Sequence, residues 1–214
     1  MRRLIPSIVS LCLCAAPAAA FVKPVTLAGD LDGDAALEKV QAVRVDVRGV
    51  DDAFDRTAIR VSDTCRGRAV RRRVAGPQDN LATLRLKNLD ARSGDEIIVD
   101  LRSGASGRLG EARIVAWRRG GSACRTPRSL FVYRSDRPTR SPAGTTGEVS
   151  FFSLRPKEIT RRFRGAELVL TEQFLKRGEP GCCGSVRKKT LLRLSRARDR
   201  YLPYDTSVRR NARG

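Results

Sequence analysis

The chain has 214 residues, 43 basic and 23 acidic, for a formal net charge of +20. It contains no histidine, which excludes Ser-His-Asp and Cys-His catalysis and any mixed Cys/His zinc site. The charge is uneven: residues 21–100 carry 14 basic and 14 acidic side chains, 101–154 carry 10 against 3, and 155–214 carry 17 against 6, so the positive field belongs to the second half.

Residues 1–20 read as a secretory signal peptide. Arg2 and Arg3 form a positive n-region, Leu4 to Ala16 an apolar stretch, and Ala18-Ala19-Ala20 a small-residue cleavage site. That stretch falls short of the roughly 20 residues a membrane-spanning helix needs. No other apolar run is long enough, so no transmembrane segment is expected once the signal is removed. Cleavage after Ala20 would make the protein secreted or cell-envelope associated, and would remove Cys12 and Cys14. Four cysteines remain, Cys65, Cys124, Cys182 and Cys183, and an even set in an exported chain predicts disulfides. Cys65 with Cys124 and Cys182 with Cys183 is the preferred pairing among three, although each cysteine could reach a more distant partner. The GCCG pair reads as a structural disulfide turn, because one adjacent pair lacks the spacing of a zinc site.

Period-two alternation dominates the rest. Val43, Val45 and Val47 alternate with Arg44, Asp46 and Arg48, and Leu84 and Leu86 with Arg85 and Lys87, the pattern of half-buried strands. Glu96 to Leu101 and Ala112 to Trp117 read as more deeply buried strands. Strands are also expected at Leu130 to Tyr133, Val149 to Leu154, Glu167 to Thr171 and Thr190 to Leu194. Gly76-Pro77, Gly120-Gly121, Pro142 to Gly147 and Pro180-Gly181 punctuate them as turns. The fold expected is all-β: a compact multi-stranded domain, either a sandwich or a truncated propeller-like stack. Its organisation would be a β region over 21–134, a loop or linker over 135–147, a basic β region over 148–206 and a flexible tail over 207–214.

One segment carries metal chemistry. In Asp30-Leu31-Asp32-Gly33-Asp34-Ala35-Ala36-Leu37-Glu38, carboxylates occupy positions 1, 3, 5 and 9 of a tight loop entering a strand. Calcium takes six to eight oxygens, and such a loop can aim Asp30, Asp32, Asp34, the Ala36 carbonyl and Glu38 at one point. The helix–loop–helix calcium loop is excluded, since it needs Gly at position 6 and Glu at 12, where Ala35 and Gln41 stand. The competing expectation is a solvated acidic turn. A second copy begins 58 residues on, Asn88-Leu89-Asp90-Ala91-Arg92-Ser93-Gly94-Asp95-Glu96, with Arg92 at position 5. A guanidinium there repels a metal and neutralises neighbouring carboxylates, so this loop is expected to be metal-free and closed by an internal ion pair.

The phrases GDLDGDAALEKV and NLDARSGDEIIVDL resemble the acidic loop-plus-strand of FG-GAP repeats, the integrin-α-like β-propeller repeats also found in bacterial exported proteins. The resemblance covers about 15 residues at each place, at a spacing compatible with a repeat unit. It implies a loop between strands of a propeller blade that often holds calcium, here through the five positions just named. The full seven-bladed propeller would not fit in so short a chain.

The function expected is that of an exported non-catalytic β protein acting by surface binding, its loops stiffened by calcium or by an ion-pair bridge. A second expectation is a cationic binder of anionic cell-envelope polymers through the arginines of 155–214. Nucleic acid is not expected as a partner, because export separates the two and aromatic residues make up only 5% of the chain. A hydrolase using Glu167 and Glu172 as a carboxylate pair is the reading from another class, although nothing in the sequence singles those acids out.

Overall fold

A computed structural model of the chain describes residues 25–45, 56–79, 81–90, 92–103, 109–119, 124–138, 140–157, 166–178 and 184–210. Its strands are β1 (Thr26–Gly29), β2 (Glu38–Val45), β3 (Arg56–Cys65), β4 (Arg68–Asp79), β5 (Leu81–Lys87), β6 (Glu96–Ser103), β7 (Leu109–Arg119), β8 (Arg125–Arg134), β9 (Thr145–Lys157), β10 (Glu167–Lys176), β11 (Val186–Ser195) and β12 (Arg200–Arg210). No helix occurs among the described residues. The expected signal peptide and the Cys182–Cys183 pair lie outside them.

Every neighbouring pair is antiparallel, and the strands form three four-stranded sheets taken in chain order: β1 to β4, β5 to β8, and β9 to β12. None closes into a barrel. Each strand joins its successor, as expected where connections are too short to cross a sheet. The first strand of each sheet, β1, β5 or β9, is an edge.

Side-chain alternation decides how the sheets stack. In the middle sheet Ile97, Val99, Leu101, Val115 and Trp117 are buried against Val40, Ile59 and Val61 of the first sheet. The intervening residues Ile98, Ala112, Ile114 and Ala116 are buried against Phe152, Leu168, Leu170 and Phe174 of the third. Both faces of the middle sheet are covered, which is why EIIVDL and ARIVAW are nearly continuous apolar runs. The flanking sheets turn one face to these cores, with Ala58 of β3 and Leu175 of β10 buried outside them. Along β11, Val186, Lys188, Thr190 and Leu192 are buried while Arg187 and Lys189 are exposed.

The eight expected strand segments fall in strands, the first of them as far as Val45, since Asp46 to Arg48 lie outside the described residues. The strands β1, β3, β4 and β12 were not anticipated, and their sequences show why. In β4 (RAVRRRVAGPQD) the Gly76-Pro77 pair does not make a turn. Gly76 sits at φ +81, opposite a register shift between Thr57 and Ile59, so it forms a bulge inside the strand. A side chain there would collide with the Thr57 carbonyl oxygen. In β12, Pro203 lies at another register shift on an edge strand, where its missing N–H is tolerated. β12 also corrects the first half of the flexible-tail expectation, because Ser207 to Arg210 pair with Val186 to Lys189 of β11; residues 211–214 lie outside the described residues.

A disulfide joins Cys65, at the end of β3, to Cys124, one residue before β8, with Cα atoms 5.4 Å apart. This is the pairing expected from the sequence, and it fastens the first sheet to the middle one.

Candidate functional site

The two acidic loops occupy the same place in successive sheets, between the first strand and the second. In the first loop, Asp30 is an amide cap. Its Oδ1 accepts hydrogen bonds from the N–H groups of Gly33 (2.6 Å), Asp34 (3.2 Å) and Asp32 (3.3 Å), and its Oδ2 from Ala35 (3.0 Å). Asp32 Oδ1 accepts from Asp34 N–H at 3.0 Å, and Asp34 Oδ1 from Ala36 N–H at 2.9 Å. These bonds wind the loop tightly enough to hold Ala35, a non-glycine residue, at φ +68. Glu38 is buried and accepts the Leu31 N–H at 2.7 Å, closing the loop at its base.

Carboxylate oxygens of Asp30, Asp32 and Glu38 lie within 4.8 Å of one another. Asp34, another expected ligand, does not join them in that group. Asp34 turns one oxygen toward Arg125, whose Nη2 is 3.0 Å away, and Ala36 is exposed. Arg125 also ion-pairs with the buried Oδ2 of Asp32. Burial raises the Asp32 pKa against the opposing pull of the Asp34 amide and Arg125. The Ala36 amide and then Arg125 lower that of Asp34, and burial raises that of Glu38.

The second loop repeats the closure. Glu96 Oε2 accepts the N–H groups of Leu89 (2.6 Å) and Asp90 (3.3 Å), and Asp90 Oδ1 accepts Arg92 N–H at 2.9 Å. The Asn88 side-chain amide donates to the Arg92 carbonyl. Asp90, fully buried, ion-pairs with Arg118, whose Nη2 is also 3.7 Å from Glu96. The expected internal pair exists but is the longer one: Arg92 Nε stands 3.8 Å from Asp90, while its Nη1 reaches Asp199 at 3.2 Å.

The loops also grip each other. Asp95 N–H, at position 8 of the second loop, donates to the Asp30 carbonyl at 2.7 Å. Gly94, at φ +97, lies against the Leu31 carbonyl, an approach that leaves no room for a side chain. Farther along, Ala166 N–H donates to the Leu89 carbonyl at 2.5 Å. Counted back from Glu167, Ala166 is position 8 of a third nine-residue stretch of sequence, Ile159 to Glu167, of which Ala166 and Glu167 are among the described residues. That copy escapes a search for acids because Arg161 and Phe163 stand where Asp32 and Asp34 stand in the first. The signal that remains is Gly at position 7, shared with the second loop, and Glu at position 9.

The cations were the residues that sequence reasoning missed. Arg118 stands one residue before the end of β7 and Arg125 begins β8, with Cys124 beside it. One end of one hairpin thus supplies a guanidinium to each loop and half of the disulfide. Asp34 and Arg125 are 91 residues apart, and no local pattern could join them.

The proposed hydrolytic pair does not assemble. Glu167 and Glu172 are five apart on one strand, so they point to opposite faces. Glu167 pairs with Lys157 (3.3 Å) and Arg193 (2.9 Å). Glu172 is fully buried between the middle and third sheets, accepts a bond from Tyr133 Oη (3.1 Å) and lies 3.5 Å from Lys188 Nζ. No family model, curated protein or solved structure matches this chain.

Proposed function

We propose that the chain is an exported, non-catalytic β-sheet protein that works through surface contacts, and that its acidic loops are structural clasps. The observation that carries this reading is the use made of the loop carboxylates. Asp30 caps four amides, Glu38 and Glu96 close the loop bases, and Asp32, Asp34 and Asp90 are neutralised by Arg125 and Arg118. A catalytic carboxylate needs an oxygen free to meet a substrate, whereas these are taken up by loop amides and guanidinium groups. Three four-stranded sheets in chain order, with matching loops in the first two, also support kinship with FG-GAP repeats. The basic second half remains the favoured surface for anionic envelope polymers.

Calcium is the second reading, favoured by the convergence of Asp30, Asp32 and Glu38. Three carboxylates with waters fit a hard cation, which would supply loop stiffening there and no reaction step. Arg125 and calcium compete for Asp32, so thermal melts in calcium and in chelator distinguish them. On the clasp reading, the wild-type protein melts identically in both, Arg125→Gln melts several degrees lower, and calcium recovers part of that loss. On the calcium reading, the wild-type midpoint rises by roughly 3–5 °C at ten times the dissociation constant, and Arg125→Gln costs little.

A further inference from the structure

The three first strands meet at one place. A cleft of about 1000 Å³ is lined by Leu27 and Ala28 of β1, by residues 83–87 of β5, by Ile98, and by Arg155 and Pro156 of β9. β5 contributes both of its faces. Leu84 and Leu86 lie on the side of the first sheet, opposite Val99 and Ile97, while Arg85 lies opposite Ile98 on the side of the third. A strand that shows both faces to one cleft presents its edge to it, and β5 is hydrogen-bonded on one side only, to β6. No backbone bond beyond its pairing with β6 reaches β5 among the described residues. The cleft lining includes three cations, Arg85, Lys87 and Arg155, and no carboxylate. All three are exposed, and none has an ion-pair partner among the described residues.

We propose that this cleft binds an extended acidic peptide as an added strand on the free edge of β5. The reading rests on the proposal that the chain works by surface contact. An edge strand offers unpaired N–H and C=O groups that an extended backbone satisfies. Side chains of an added strand alternate between its two faces. One face would meet Leu27 and Leu86, and the other would meet Arg85 and Lys87, so the ligand alternates apolar and acidic residues. A second copy of this chain is a poor occupant, because pairing β5 with itself brings Arg85 and Lys87 against their own copies.

The test is fluorescence anisotropy of a labelled octapeptide alternating Glu and Val, titrated with the purified protein. Alongside it run the same peptide N-methylated at alternate amides, and end-labelled polyphosphate titrated directly. The proposal expects saturable binding, lost on N-methylation and weakened by about tenfold or more, a change of about 1.4 kcal/mol, in Arg85→Ala/Arg155→Ala. Both residues are exposed, so the variant keeps the fold, which its melting midpoint verifies. Equal binding of the N-methylated peptide, or alanine variants that bind as well as wild type, would overturn it. If the peptide fails while polyphosphate still binds, the cleft is wrong and the surface-contact reading stands. If neither probe binds, both are wrong.

Discussion

At the scale of the residue, position 9 of the loop is where chemical expectation and folded role diverge most. Glu38 looks like a metal ligand because it ends an acidic run, and Glu96 aligns with it; both are buried and also accept the N–H of the residue seven positions earlier. Sequence shows the residue type and spacing; it does not show that the oxygen turns back to the main chain. For Glu96 this has a measurable consequence. Burial, opposed by the Leu89 amide, pushes its carboxyl from 4.5 up to about 7. The folded state therefore holds a proton that the unfolded chain has released between those values. Stability is greatest below the unfolded value and falls as pH rises through the folded one, by up to about 3 kcal/mol. Glu96→Gln keeps the acceptor and removes the titration. Urea midpoints at pH 5 and pH 8 should then differ less in the variant than in wild type. A wild-type midpoint that rises across this interval, with Glu96→Gln flat, would show that Arg118 outweighs burial.

At the scale of the element, β4 and β12 were illegible because arginine and proline interrupt their alternation, while β3 was missed although Ile59 and Val61 alternate with Arg60 and Ser62. β6 and β7 announce themselves because both faces are buried; β4 and β12 carry arginine and proline on exposed edges, where sequence is weakly constrained. β11 adds a subtler case. Lys188 falls on its buried rank, an apparent violation, and is accommodated by Glu172 across the register and by the Arg140 carbonyl at 2.7 Å. Removing one partner of a buried pair leaves a charge uncompensated, so Lys188→Ala should cost about 3–5 kcal/mol in urea unfolding. The double change Lys188→Met/Glu172→Gln should recover most of it; a double variant as unstable as the single would mean that Lys188 acts through packing alone. The bulge in β4 gives a second check. Gly76→Ala should lower stability by about 1–3 kcal/mol, because the φ is strained for any side chain and the Thr57 carbonyl blocks the methyl. A neutral outcome would mean that the bulge relaxes at no cost.

At the scale of the whole molecule, the composition of each sheet states its position in the stack. A two-faced apolar sheet must lie between two sheets that each turn one face to it, and the three run in chain order. What no single-sequence pattern could reveal is the set of ion pairs that holds the loops, Arg125 with Asp32 and Arg118 with Asp90, because it is long-range; the disulfide between the first two sheets was expected from the cysteines. The Cys65–Cys124 bond closes a separation of 59 residues, for which chain entropy gives about 4 kcal/mol. Reduction should lower the unfolding free energy by no more than that, and a larger loss would mean that the β7–β8 hairpin end detaches with it. The disulfide sets Arg125 beside Asp32, and the account stands or falls on whether that pair holds the first loop. The decisive measurement is a double-mutant cycle of Asp32→Asn and Arg125→Gln, read as unfolding free energy in chelator. Asp32 is 2% and Arg125 20% exposed at the side chain, so a coupling of about 1 kcal/mol or more is expected. Coupling indistinguishable from zero would contradict the clasp.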